Sequence, residues 1–315
     1  MKVIIWGHKL HSHTHSYVHY GYYNAAKYLG HETYWLDDYD DVSGVDFKDA
    51  VFITEHNVCK KMPQREDCKY FIHWSDLAFQ HDRRSRYCDM LKNDWSGFDV
   101  YNFVFEAKHW EYGEGYEWPN VEKIGSSYYH DDSKTLVTRW ATDLLPFEID
   151  KIEPKTYDDT LDDVYFVGSM QGKNISHFSE VVTRNNKNFV NIGGYTGINR
   201  LGMNPPDRNN NIDLIRKSYI SFDIREDVFL NKGYYYPCRV FKNISYGKWT
   251  GCNQPALKEE FGDFLTCESD LDTLYNAIVE DYKKCSKEKM KQAMNFVRDN
   301  HTYINRLNDL LGVIS

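Results

Sequence analysis

Short, wholly apolar runs alternate with longer stretches of helical period, and this alternation constrains the fold more than any other feature. Val3-Ile4-Ile5-Trp6 is continuously apolar, as suits a strand buried on both faces. After a polar loop, Val18, Tyr22, Ala25, Ala26 and Leu29 recur on one face of a 3.6-residue period. Ser16 stands where an N-cap is expected and Gly30 where a C-terminal stop is expected. Thr33 to Leu36 then reads as a second strand, and strand, helix, strand at this spacing is a βαβ unit. Val51 to Thr54, Tyr70 to His73 and Tyr101 to Phe105 extend the series. A mostly parallel, doubly wound sheet follows.

From Asp150 to Asp163 the pattern lapses into a charged segment that holds Pro154, and this reads as a linker. The pattern restarts with strands at Val164 to Ser169, Phe189 to Ile192 and Tyr219 to Asp223. Helices are predicted from Arg239 to Tyr246, from Leu271 to Tyr282 after Ser269, and from Lys287 to Arg298 after Ser286. Asn209 to Asn211 marks a polar helix start, and Tyr303, Leu307, Leu310 and Leu311 mark a last amphipathic stretch. A chain of 315 residues accommodates two domains of roughly 150. The expected class is α/β, with two Rossmann-like doubly wound domains facing across a cleft. The two domains would span residues 1–150 and 151–315, the final helix being free to return to the N-terminal domain. Ligands of such sheets bind at the carboxyl ends of the strands.

Charge narrows the partners. The net charge is −9, and the densest basic run, Arg83-Arg84-Ser85-Arg86, is short. Nucleic acid is therefore not the expected partner. No stretch is apolar enough for a membrane span. The seven cysteines are scattered without a Cys-x-x-Cys pair, which fits reduced thiols in the cytoplasm. The 25 tyrosines and 8 tryptophans suit a core and equally suit a pocket for sugar or base rings.

Three places could carry chemistry. In Tyr234-Tyr235-Tyr236-Pro237-Cys238-Arg239-Val240-Phe241-Lys242, Pro237 can open a helix. Arg239 and Lys242 then lie in its first turn, where cations oppose the helix dipole unless an anion joins them. A diphosphate would satisfy them, although two solvated charges on an ordinary helix fit the spacing as well. The turn Gly168-Ser169-Met170-Gln171-Gly172-Lys173 follows a strand and could let a phosphate approach backbone N–H groups, with Lys173 adding charge. Arg225, just after the next strand, is a third candidate cation. The loop after the first strand holds His8, His11, His13 and His15, with His19 beyond it. His13 or His15 could act as a general base on a hydroxyl. Along the chain no carboxylate sits at ligand spacing from these histidines, so no metal is expected. Asp76, in His73-Trp74-Ser75-Asp76, is a rival base, and Glu55 and His56 are further rivals.

The segment Arg239 to Gly247 resembles the Arg-Leu-Phe-Glu-x-x-x-x-Gly segment of group 1, CgeB-like glycosyltransferases of the GT-B fold. Leu257 to Phe261 and Phe264 to Glu268 are similar to that family's continuation. His301-Thr302-Tyr303-Ile304-Asn305-Arg306 resembles its His-Thr-Tyr-x-x-Arg ending, and Arg139-Trp140-Ala141-Thr142-Asp143 its Trp-Ala-x-Asp segment. The resemblance covers residues 139 to 311. It implies transfer of a sugar from a UDP, GDP or dTDP donor to a glycan or glycoconjugate hydroxyl, without a required metal or other cofactor. It places the acceptor on residues 1–150 and the donor on residues 151–315, where Ser169, Lys173, Arg225, Tyr236, Arg239, Val240, Phe241 and Lys242 would hold the donor. Lys242 stands where the family often has a ribose-binding Glu, and an ammonium can only donate. The paired glutamates of many retaining relatives are also missing, which leans the expectation towards inversion. A non-catalytic two-lobed nucleotide- or sugar-binding protein and a DNA-modifying glycosyltransferase remain the alternatives. A Rossmann dehydrogenase is disfavoured, since no Gly-x-Gly-x-x-Gly follows a strand.

Overall fold

A computed structural model describes residues 1–9, 14–74, 94–105, 121–168, 170, 172–192, 208–230 and 237–315. The chain is α/β and divides into two compact units, Met1–Leu145 with Thr302–Ser315, and Pro146–His301. Among the described residues no helix is long and apolar enough to cross a membrane.

The first unit is built on an eight-stranded sheet. Its strands are β1 (Lys2–Trp6), β2 (Glu32–Leu36), β3 (Ala50–Glu55), β4 (Lys69–Trp74), β5 (Asp99–Phe105), β6 (Val121–Ile124), β7 (Ser127–His130) and β8 (Thr135–Thr138). They are ordered β2-β1-β3-β4-β5-β8-β7-β6. Pairing is parallel from β2 to β8 and antiparallel through β7 and β6. The apolar runs sit at its centre. Ile4, Trp6, Phe52, Tyr70, Ile72 and Val104 form one continuous buried cluster, each such side chain stabilising by about 1.5–3 kcal/mol.

Helix α1 (Thr14–Tyr28) starts two residues before Ser16, so Ser16 lies inside its first turn and does not precede the helix. α1 packs against the chain's last helix, α10 (Tyr303–Gly312). The contact depends on Gly21, because a Cβ there would fall 2.1 Å from Cδ2 of the Tyr303 ring. The neighbouring Tyr22 and Tyr303 rings are 5.0 Å apart. The β6–β7 hairpin turns on Gly125-Ser126, with Gly125 at φ 58°, as a two-residue hairpin loop requires. α10 fastens this turn. Asp309 accepts from the hydroxyls of Ser126 (2.9 Å) and Ser127 (2.6 Å). Arg306, with no exposed surface, donates to the carbonyls of Arg139 (2.9 Å) and Trp140 (3.1 Å) and to Ser126 Oγ (2.7 Å).

The second unit holds α2 (Pro146–Asp150), β9 (Asp163–Val167), α3 (Lys173–Arg184), β10 (Asn188–Ile192), α4 (Arg208–Lys217), β11 (Ser221–Asp223) and α5 (Asp227–Leu230). It continues with α6 (Cys238–Ser245), β12 (Thr250–Cys252), α7 (Leu257–Phe261), β13 (Thr266–Cys267), α8 (Leu271–Lys284) and α9 (Lys287–Asn300). β10 pairs with β9, and β11-β12-β13 form a second ladder, all parallel. The two ladders are joined at one end, where the Tyr219 N–H donates to Asp163 O (2.7 Å) and the Tyr165 N–H to Ser218 Oγ (2.9 Å). These bonds link the segment before β11 to β9, while the strands themselves form separate sheets of two and three strands. Ser286 caps α9 through the Lys289 N–H (3.0 Å). α8 is capped by Asp270, which accepts from the Thr273 N–H (2.8 Å), and not by Ser269.

The charged segment read as a linker is fastened along the second unit. Tyr157 hydrogen-bonds Tyr219 through their hydroxyls and packs against the ring of Tyr282. The Lys155 N–H donates to Gly247 O (2.8 Å) and the Tyr282 hydroxyl to Thr156 O (2.9 Å). Beneath it Lys248 is almost fully buried, its Nζ 5.0 Å from the centre of the Tyr282 ring. Burial, with repulsion from Lys155 and Arg216, draws its ammonium down to about 7.

Candidate functional site

In the first unit, polar side chains gather where β1, β3 and β4 end. This is where the sheet reverses strand order, between β1 and β3, the position at which doubly wound sheets open a ligand crevice. Apolar residues fill the strands up to their last turn, and then the chemistry changes abruptly. β3 closes with Glu55 and is followed by His56, β4 closes with His73-Trp74, and β1 is followed by Gly7-His8. Glu55 and His73 are register partners on neighbouring parallel strands.

The loop after β1 takes an unusual path. Gly7 has φ 91°, and a Cβ there would lie 2.2 Å from Cγ2 of Val58. His8 follows at φ 58°, a left-handed conformation that costs a non-glycine residue on the order of 1–3 kcal/mol and clusters at functional sites. This turn brings His8 Nε2 to 3.2 Å from Oε2 of Glu55.

Glu55 is 2 % exposed and well supplied with donors. The Asn57 N–H (3.1 Å) and Nδ2 (3.2 Å) donate to it, and His56 Nδ1 lies 3.0 Å from Oε1. Burial alone would push its carboxyl up, but the hydrogen bonds from His56 and His8 prevail and hold it well below the usual range. Glu55 is therefore an ionised carboxylate in an interior setting. His56 Nδ1 also faces the carbonyl of His73 at 3.0 Å, while its Nε2 accepts from Asn57 Nδ2 at 2.9 Å. Two acceptors on one side fix the proton on Nδ1. His19 is held similarly, Nδ1 donating to Gly7 O at 2.7 Å.

A file of imidazoles runs past the carboxylate. Ring centres are 4.9 Å apart for His19 and His8, 5.2 Å for His8 and His15, and 5.1 Å for His15 and His73. His15 keeps some contact with solvent, yet burial and the neighbouring His8 and His56 pull it down to about 4 against the opposing pull of Glu55. Burial, foremost, also lowers His19 and His73 well below the usual imidazole range. At neutral pH these three rings are uncharged. His73 is 2 % exposed, and neither of its ring nitrogens has a hydrogen-bond partner among the described residues. One ligand atom from each of His8, His15 and Glu55 lies within 4.8 Å of the others. The carboxylate that was missing from the histidine loop in sequence thus arrives from another strand.

In the second unit, charge collects where β9 and β11 end. Asp223, fully buried, takes Arg225 through Nε at 2.7 Å and Nη2 at 3.2 Å. It takes Arg239 as well, through Nη1. Arg239 also donates to Val167 O (3.3 Å) and lies over the Phe166 ring at 4.5 Å. Two guanidiniums about one-fifth exposed share one carboxylate.

Several sequence expectations meet a different geometry here. The N-terminus of α3, offered to phosphate, is taken by Glu226, whose carboxylate accepts from the N–H groups of Lys173 (2.8 Å), Asn174 (3.0 Å) and Ile175 (3.4 Å). α6 begins at Cys238 after Pro237, so Arg239 lies in its first turn but Lys242 falls in its last, where a cation suits the dipole. Val240 and Phe241 are fully buried, Phe241 against Phe261 and His301. His13, Asp76, Ser169 and Tyr236 lie outside the described residues, as does the basic run at Arg83. Of the chosen residues the structure brings together Arg225 and Arg239 in the second unit and sets His15 beside Glu55 in the first. Sequence reading missed Asp223 and Glu226 as organisers. Their signal was an acid two residues before, and another directly after, the Arg225 it had singled out.

No family model matches the chain, and a search of curated proteins returns no match.

Proposed function

We propose that the protein is a glycosyltransferase of the GT-B arrangement, using a nucleoside-diphosphate sugar as donor. The observation that carries the reading is the pair of guanidiniums on buried Asp223, at the carboxyl ends of β9 and β11. Asp223 orients Arg225 and Arg239 side by side, and two guanidiniums held together favour an anion of two or more charges. A diphosphate leaving group is such an anion, and prearranged cations stabilise it as it departs. Lys173 stands at the rim of the same strand ends, with its helix terminus already occupied by Glu226.

The acceptor falls to the first unit, where ionised Glu55 stands among neutral imidazoles at the strand reversal. A carboxylate–imidazole pair such as Glu55 with His8 is the arrangement that draws a proton from a hydroxyl. Inverting transfer needs such a base and no covalent intermediate.

A thermal-shift panel of UDP, GDP, dTDP, CDP, ADP and NAD tests the reading. One nucleoside diphosphate at a hundredfold over its Kd should stabilise the protein by about 2.7 kcal/mol. Arg239→Ala should abolish that shift. The wild type should slowly hydrolyse or transfer the matching donor sugar. No shift with any diphosphate, or an undiminished shift in Arg239→Ala, refutes the assignment.

A further inference from the structure

We infer that His8, His15 and Glu55 bind a divalent transition-metal ion of the zinc class in the first unit. Two nitrogens and one carboxylate oxygen converge within 4.8 Å from three separate elements, the loop after β1, the first turn of α1 and the end of β3. A zinc ion bonded at about 2.0–2.1 Å sets tetrahedral ligands about 3.3 Å apart. The His8 Nε2 to Glu55 Oε2 separation is 3.2 Å, which is that edge. His15, on the first turn of α1, places its ligand nitrogen within 4.8 Å of both of these atoms.

The surroundings fit a metal better than they fit a simple hydrogen-bonded cluster. Glu55 is braced by the Asn57 N–H and Nδ2 and by His56, the kind of outer support that fixes a ligating carboxylate. His8 is held in a strained left-handed conformation, and the product of that strain is the approach of its ring to Glu55. A buried imidazole with no partner on either nitrogen, His73, lies against His15, so the cluster has more nitrogen donors than its hydrogen bonds use. Imidazole nitrogen selects zinc and its neighbours, whereas magnesium and calcium take all-oxygen shells. Three protein ligands leave the fourth position open, which is the pattern of catalytic and not of structural zinc. A water or an acceptor hydroxyl would fill it and be acidified there.

The inference does not rest on the transferase reading. The full-length chain is stripped with a chelator, checked for folding by circular dichroism and titrated with Zn2+ against a chromophoric competitor. One equivalent should bind and raise Tm. His15→Ala and Glu55→Gln should each weaken binding by at least about tenfold, the range seen even for outer-sphere partners. His177→Ala, which alters an exposed histidine of the second unit, should leave it unchanged. If Glu55→Gln does not fold, the solvent-touching His15 still decides. Failure of the folded wild type to bind an equivalent overturns the site, as does equal affinity in folded His15→Ala or a preference for Mg2+ over Zn2+. No sugar donor enters the measurement, so the donor assignment at Arg225 and Arg239 and the metal site can fail separately, whereas a bound metal would replace the Glu55–His8 pair as the group that acidifies the hydroxyl.

Discussion

Replacing Lys248 by methionine should stabilise the second unit, and the gain should depend on pH. Lys248 is 1 % exposed, and its ammonium faces the Tyr282 ring at 5.0 Å with Lys155 and Arg216 nearby. Burial, then those two cations, lowers it from 10.5 to about 7. A folded value below the unfolded one means that the unfolded chain binds more protons between the two, so stability rises with pH across that window. Holding the group buried costs about 4 kcal/mol at pH 7 and about 2 kcal/mol at pH 9, from the linkage of one proton. Methionine keeps the length of the stem and removes the charge. Lys248→Met should therefore gain on the order of 2–4 kcal/mol at pH 7 and about half of that at pH 9. Urea unfolding of both proteins at the two pH values, at matched ionic strength, reads the difference directly. An equal gain at both values would show that the ammonium titrates alike in the folded and unfolded chains. A loss at both would show that the charge is satisfied inside. Either result refutes the argument.

Two further substitutions test the packing of the first unit. Gly21→Ala drives a methyl into the Tyr303 ring, 2.1 Å from Cδ2, and should lower stability by about 1–3 kcal/mol as the α1–α10 contact opens, seen as a fall in Tm. Arg306→Met removes three hydrogen bonds from a fully buried guanidinium and should cost about 3 kcal/mol or more. The exposed ion pair of Arg298 with Asp150 should cost no more than about 1 kcal/mol when broken in the same unfolding assay.

The apolar runs made β1, β3, β4 and β5 legible, because a strand buried on both faces leaves no other pattern. β6, β7 and β8 escaped notice. They form a hairpin edge with mixed polarity, and their signal was the short one of Gly125-Ser126 between two four-residue runs. The start of α8 at Leu271 was legible, but the residue that caps it is Asp270 and not Ser269. Site residues were legible as types and not as partners. Arg225 and Arg239 stood out by charge, but the acid that unites them lies sixteen residues before Arg239, at the end of a strand that was legible as a strand and not as part of a site. His15 stood out in a histidine-rich loop, but Glu55 joins it only because β1 and β3 are neighbours in the sheet. In the segment that carried the family resemblance, His301, Thr302, Tyr303 and Arg306 are buried. Asn305 accepts from the Thr302 N–H at the start of α10 (2.9 Å), Tyr303 packs on α1, and Arg306 ties α10 to the β6–β7 turn.

That last helix gives the first unit an order of assembly. On a ribosome the sheet and α1 emerge early, but the side of α1 around Gly21 and Tyr22, and the Ser126 turn, find their covering helix only after the whole of the second unit has been made. Through that interval the nascent chain carries an uncovered aromatic face, and the second unit can complete its own core first. Closure of the first unit then waits until Arg306 has been added, and any chain released before that residue leaves the ribosome with that face open.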